Sequence, residues 1–111
     1  MKVAIIGSRS LAVSDLGRYL PPETTEIVSG GAKGVDTSAR EYAIANGLKL
    51  TEFLPDYRRF KRSAPLKRNL LIIEYADIVL AFWDGKSRGT KSVIDKCEKL
   101  KRNVKVFMFN N

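Results

Sequence analysis

Two stretches, residues 2–7 and 77–83, are apolar on consecutive positions rather than on alternate ones, with Val3, Ile5 and Ile6 in the first and Val79, Leu80 and Phe82 in the second. A strand that is apolar on both faces has to be covered on both, which happens in parallel sheets whose crossover helices lie on either side. Three further strand segments follow from the same reading: residues 25–29, residues 48–54 closed by Pro55, and residues 104–109. Helical patterns alternate with them. Ser14 and Asp15 start a short helix to Leu20, weakened by Gly17 and stopped by Pro21 and Pro22. Val35, Ala39, Tyr42 and Ala43 share one face of a helix over 35–46 capped by Gly47. Ser63 and Pro65 begin a helix reaching about Tyr75, and another runs from about Thr90 to Leu100. Residues 55–63 are expected to form a basic loop.

Strands alternating with helices predict right-handed βαβ crossovers, hence an α/β, Rossmann-like three-layer sandwich around a five-stranded parallel sheet. The whole of 1–111 reads as a single domain. The preferred strand order is 3-2-1-4-5, which puts the switch point, where open α/β sheets take ligands, between strands 1 and 4. Periodicity alone leaves the order 2-1-3-4-5 open.

The absences narrow the chemistry. The chain has no histidine and one cysteine, so Ser-His-Asp and Cys-His catalysis and His/Cys zinc sites are excluded; no metal and no required cofactor are expected. Cys97 falls on the same helical face as Val93, Ile94 and Leu100 and reads as a small buried hydrophobe. The opening apolar run, Val3 to Ile6, is too short for a signal-peptide core, and no segment is long enough to cross a bilayer, so a cytoplasmic location without a membrane partner is expected. The net charge of +8 points to an anionic partner.

Three turns carry the chemistry, and all three follow strands, so the architecture gathers them at one sheet edge. The first is Gly7-Ser8-Arg9-Ser10, the second Ser29-Gly30-Gly31-Ala32-Lys33-Gly34, and the third Asp84-Gly85-Lys86-Ser87-Arg88-Gly89-Thr90, with Gly7, Ser8, Arg9, Ser29, Gly30, Gly31, Lys33, Gly34, Asp84, Gly85, Ser87, Arg88, Gly89 and Thr90 assigned to ligand binding. Glycines admit a ligand close to the backbone, helix N-termini offer unpaired amides to an anion, and Arg9, Lys33, Lys86 and Arg88 supply direct charge. None of the turns is a Walker A loop or a G-x-G-x-x-G fingerprint. Arg68 and Asn69, early in the helix after the basic loop, are assigned to phosphate and to ribose or base recognition.

The run from Ser29 through Gly34 to Ala39 resembles the central motif of the DNA-processing protein A (DprA/Smf) family. Together with Gly7-Ser8-Arg9, Arg68-Asn69 and the stretch from Phe82 to Thr90, it is similar to the small YspA/YpsA-related branch of the SLOG superfamily, over nearly the whole chain. The resemblance implies a Rossmann-like domain that binds nucleotides or ADP-ribose-like ligands. It also relates the chain to the LOG phosphoribohydrolases, but Ser92 stands where those enzymes carry a glutamate two residues after Gly-Thr. A serine supplies neither the carboxylate nor the base for N-glycosidic cleavage. The acids left for catalysis are Asp84 and Asp36, each with a plain alternative: a turn-forming Asp-Gly, and an acid in a helix first turn.

Between Arg58 and Arg68 lie Arg58, Arg59, Lys61, Arg62 and Lys67 with no acidic residue, and Tyr57 and Phe60 lie among them. Such interleaving suits a nucleic-acid strand, or a flap over a small nucleotide. The leading expectation is therefore a binder of a nucleotide or nucleotide-derived small molecule, as a sensor or weak nucleotide-processing domain. Single-stranded nucleic acid is the alternative partner, a LOG-like phosphoribohydrolase a further one, and a homo-oligomer is compatible with each.

Overall fold

A computed structural model describes residues 1–109. Its elements are β1 (Lys2–Gly7), β2 (Glu26–Ser29), α1 (Val35–Ala45), β3 (Lys49–Glu52), α2 (Tyr57–Phe60), α3 (Ala64–Tyr75), β4 (Ile78–Trp83), α4 (Arg88–Lys99) and β5 (Val104–Met108). The five strands form one parallel sheet in the order β3-β2-β1-β4-β5, the preferred of the two orders that the sequence leaves open. The chain winds outward from β1 through β2 to β3, then crosses back to β4 on the other side of β1. The C-terminal ends of β1 and β4, where Gly7 pairs with Phe82, therefore flank the crevice left by the reversal.

Covering both faces explains the unbroken apolar runs. On one face Val3, Ile5, Ile27, Leu80 and Phe82 pack against Val35, Ala39 and Ala43 of α1. On the other, Ala4, Ile6, Val28, Val79 and Ala81 meet Ile72 and Ile73 of α3 and Val93, Ile94 and Cys97 of α4. Cys97 is fully buried, and burial pushes its thiol up, away from the reactive thiolate. Phe82 anchors the first layer, with Tyr19 edge-on at 5.2 Å and Phe107 stacked at 5.2 Å. Among the described residues no helix is long and apolar enough to cross a membrane.

Three segments differ from the sequence reading. The helix expected from Ser14 to Leu20 is a single 3-10 turn, Leu16–Arg18. The preceding chain is irregular, with Leu11, Val13 and Leu16 all drawn into the α1-side core; the Val13 N–H donates to Ser38 Oγ at 3.0 Å. The expected basic loop contains α2 and a 3-10 turn, Lys61–Ser63. Asp56 caps α2, its Oδ1 accepting from the Arg59 N–H at 3.1 Å. α4 also begins at Arg88, two residues before the expected start, because the Ser87 hydroxyl caps it by accepting from the Thr90 N–H.

Glu26 is a buried acid at the start of β2. Its Oε2 accepts from Thr51 Oγ1 and from the Tyr75 hydroxyl, both at 2.6 Å, and Lys49 Nζ lies 3.7 Å from Oε1. Burial acts to raise its pKa, but the two hydroxyls, Lys49 and Lys2 outweigh it and hold the carboxyl below its ordinary value of 4.5. The unfolded chain then binds the proton more readily. The stabilisation is thus present above the unfolded-state value and is lost as pH falls through the folded one. Urea unfolding between pH 7 and pH 3 should show Glu26→Gln to be less stable than the parent at neutral pH, with the gap closing as the solution is acidified; a gap independent of pH would contradict the assignment.

Candidate functional site

Three strand exits and the first turns of α3 and α4 enclose a cavity of about 420 Å³ at the C-terminal edge of the sheet. The β1 exit forms one wall. Ser8 is buried, its N–H donates to the Phe82 carbonyl at 3.1 Å, and its Oγ accepts from the Asp84 N–H at 3.2 Å. Gly7 is required by packing: a Cβ there would lie 2.4 Å from the Phe82 carbonyl oxygen and 2.7 Å from Val35 Cγ2. Arg9 and Ser10 follow on the rim, both exposed.

The β2 exit forms the second wall. The Ala32 N–H donates to Asp36 Oδ2 at 3.0 Å, closing the turn onto the first turn of α1. Gly34 has φ +71, and a Cβ on it would fall 2.4 Å from the Arg9 carbonyl oxygen, so only glycine lets the first two exits touch. The β4 exit closes the third side. Asp84 Oδ1 accepts from the N–H groups of Lys86 and Ser87 at 2.9 and 2.8 Å, while Oδ2 accepts from Ser10 Oγ at 3.2 Å.

Arg68 crosses from α3 to the β2 exit. Its Nη1 donates to the Gly30 carbonyl at 2.6 Å and to the Phe53 carbonyl at 3.4 Å, and its Nε donates to Asn69 Oδ1 at 2.8 Å. A Cβ on Gly30 would sit 2.5 Å from that Nη1, so the glycine is needed for the guanidinium to lie against the backbone. Among the described residues Nη2 carries no hydrogen bond, and Arg68 lines the cavity. Burial lowers the Arg68 pKa from its ordinary value, with Asp36 opposing and Arg9 assisting the shift. Burial raises the Asp36 carboxyl, against the pull of the Ala32 amide, Arg68 and Arg9. Arg9 makes no hydrogen bond to the described residues, so its charge is available at the rim.

The cavity brings together Gly7, Ser8, Arg9, Gly30, Asp36, Arg68, Asn69, Asp84, Ser87, Gly89 and Thr90. Six residues assigned to ligand binding from the sequence lie elsewhere. Ser29 is fully buried, its Oγ accepting from the Gly31 N–H at 3.3 Å. Gly31 and Gly34 serve the turn through positive φ, as does Gly85, which lies beside Met108. Lys33 is exposed away from the cavity lining, and Arg88 lines a different cavity. Ser10 and Ala32, which belong to the first two turns but carry no binding assignment from the sequence, and Pro65, read there as a helix start alone, also line the cavity. The turn after β1 also leads into irregular chain rather than an α-helix, whereas those after β2 and β4 lead into α1 and α4.

The two acids are occupied structurally. The Ser87 and Lys86 amides hold the Asp84 carboxyl down to about 2, so it is a permanent anion and a weak base at neutral pH. Ser92 lies outside the edge cavity, on α4. The arrangement is one of fixed hydroxyls, backbone amides and two guanidiniums, which suits a phosphate group.

No family model matches the chain, and no curated protein matches it. A solved structure does: DNA processing protein A from Helicobacter pylori, in a study of its unique single-stranded DNA binding mode, with a TM-score of 0.74 and 27% identity. This chain has a DNA processing protein A-like fold. The likeness covers 96% of this chain and 64% of that protein, so the chain spans under two thirds of that protein's length.

The two arginines have different jobs. Arg68→Ala removes charge-assisted bonds to two carbonyls, each worth about 1.5–3 kcal/mol, and should lower unfolding free energy by at least about 2 kcal/mol. Arg9→Ala should stay within about 0.5 kcal/mol of the parent. Equal destabilisation in chemical unfolding would show that Arg9 also holds the fold.

Proposed function

We propose that this chain binds single-stranded nucleic acid at the C-terminal edge of its sheet, with one phosphate seated between Arg9, Arg68 and the β1 and β4 exits. The observation that carries the proposal is the continuity of that cavity with an exposed basic segment. α3, whose Pro65, Arg68 and Asn69 line the cavity, is entered directly from α2 and its 3-10 turn, where Arg58, Arg59, Lys61 and Arg62 are all exposed. A cavity of about 420 Å³ takes one nucleotide unit. The rest of a strand would lie over the rim, where these cations would neutralise its phosphates. The fold shared with a single-stranded-DNA-binding protein supports the same reading.

The aromatics of the segment divide by role. Phe60 is covered by Arg59 at 5.1 Å and Lys67 at 5.8 Å from its ring. Tyr57, the first residue of α2, is 56% exposed, so it is the ring of this segment offered to a base.

The nucleotide-sized volume of the cavity favours a second reading, a free nucleotide or ADP-ribose-like ligand, which also accords with the similarity to the YspA/YpsA-related branch of the SLOG superfamily. Neither reading needs a catalytic step from Asp84 or Asp36. Fluorescence polarisation with a labelled oligothymidylate across a salt series separates them. Arg9→Ala should weaken the strand about tenfold or more, and Arg58→Ala/Arg59→Ala/Lys61→Ala/Arg62→Ala should flatten the log-log salt slope by about 0.7 for each phosphate no longer neutralised. Tyr57→Ala should cost about 1–3 kcal/mol. If the oligonucleotide binds weakly with no dependence on the α2 cations, while AMP or ADP-ribose binds tightly with little salt dependence, the single-strand reading is wrong and the nucleotide reading holds.

A further inference from the structure

The β4 exit turn divides its charges. Ser87 lines the edge cavity, yet Lys86 and Arg88 on either side of it line a second, more open cavity of about 490 Å³ on the outer face of α4. That face carries Lys86, Arg88, Lys91, Lys96 and Lys99, against one carboxylate, Asp95. Asp95 is paired with Lys91 at 2.8 Å, so four cations are left without an ion pair among the described residues. The floor of the cavity includes Trp83, whose Nε1 donates to the Ser87 carbonyl at 3.0 Å, fixing the indole against the turn shared by the two cavities. Lys91 Nζ stands 5.8 Å from the ring centroid. None of these four cations is buried in the core: Lys86, Arg88 and Lys99 are exposed, and Lys96 is half-buried.

A run of cations beside an aromatic ring, joined through Ser87 to a phosphate-sized cavity, matches the repeating charge of a polynucleotide rather than a single anion. We propose that the outer face of α4 is a second phosphate-contacting stretch that carries a single strand onward from the edge cavity, past Trp83. The strand would then run from α2 through the edge cavity and over the β4 exit turn onto α4. This rests on the single-strand reading and extends it. A trinucleotide reaches no further than the edge cavity and its rim, whereas a longer strand engages both stretches.

Trp83 is the sole tryptophan, so its emission reports on this face directly. Titrating the intact protein with oligothymidylate of about fifteen nucleotides should quench and shift Trp83 emission, while thymidine trinucleotide should bind without doing so. Lys86→Ala/Arg88→Ala/Lys96→Ala/Lys99→Ala should weaken the long strand about tenfold or more and flatten its salt slope, leaving trinucleotide affinity within about twofold and the melting temperature unchanged. Lys96→Glu/Lys99→Glu, at the far end of α4 from the edge cavity, should act in the same direction. If the long strand binds and depends on Arg9, yet Trp83 emission stays constant and both α4 variants bind as the parent does, this inference is wrong and the edge site stands. If the parent binds neither oligonucleotide, both fall.

Discussion

Buried Ser8 joins three elements through its own atoms. Its amide reaches the end of β4, its hydroxyl receives the amide of Asp84, and its carbonyl accepts from the N–H groups of Leu11 and of Val35, the first residue of α1. The site exists because these bonds hold the β1 exit, the β4 exit and the start of α1 in one place. Gly7 and Gly34 permit the close approach, since a side chain on either would collide with Phe82, Val35 or the Arg9 backbone. The turns are thereby rigid before any ligand arrives. Rigid donors cost little further ordering when an anion binds, which is what a phosphate site requires.

The parallel sheet was legible because the apolar runs of β1 and β4 leave no face for solvent; the strand order was a preference, since the order 2-1-3-4-5 has a switch point too and the apolar pattern does not choose between them. What escaped was set by tertiary contact. Nothing local distinguishes residues 14–20 from a weak helix; the burial of Leu16 beside Leu11 and Val13 draws the segment into the core and leaves a single 3-10 turn. The cap on α2 depends on Asp56 meeting the Arg59 amide, a short-range signal overlooked in a segment dominated by its charges.

The site was legible to the extent that glycines and hydroxyls mark tight strand exits. Its charges were harder to place. Arg68 reads in sequence as a free cation, but its first duty is to bond the Gly30 and Phe53 carbonyls, a contact across distant parts of the chain that no spacing rule reveals. Arg88 reads as a partner of Arg9, but the Ser87 cap makes it the first residue of α4 and places it in the other cavity. Asp84 reads as a possible base, yet two amides and a serine hydroxyl take up its oxygens. The edge that remains is basic and hydroxyl-rich.

If the strand exits at the β1–β4 crevice receive the phosphate of a single strand, their backbone amides must sense it. Amide NMR of the labelled protein during an oligothymidylate titration reads this most directly. The largest shifts are expected at Ser8 to Ser10, Gly30 to Ala32 and Ser87 to Thr90, with residues 57–62 following. Shifts confined to the opposite edge, around Gly47 and Ala76, or no shifts at a large excess of oligonucleotide, would contradict a phosphate seat at the crevice.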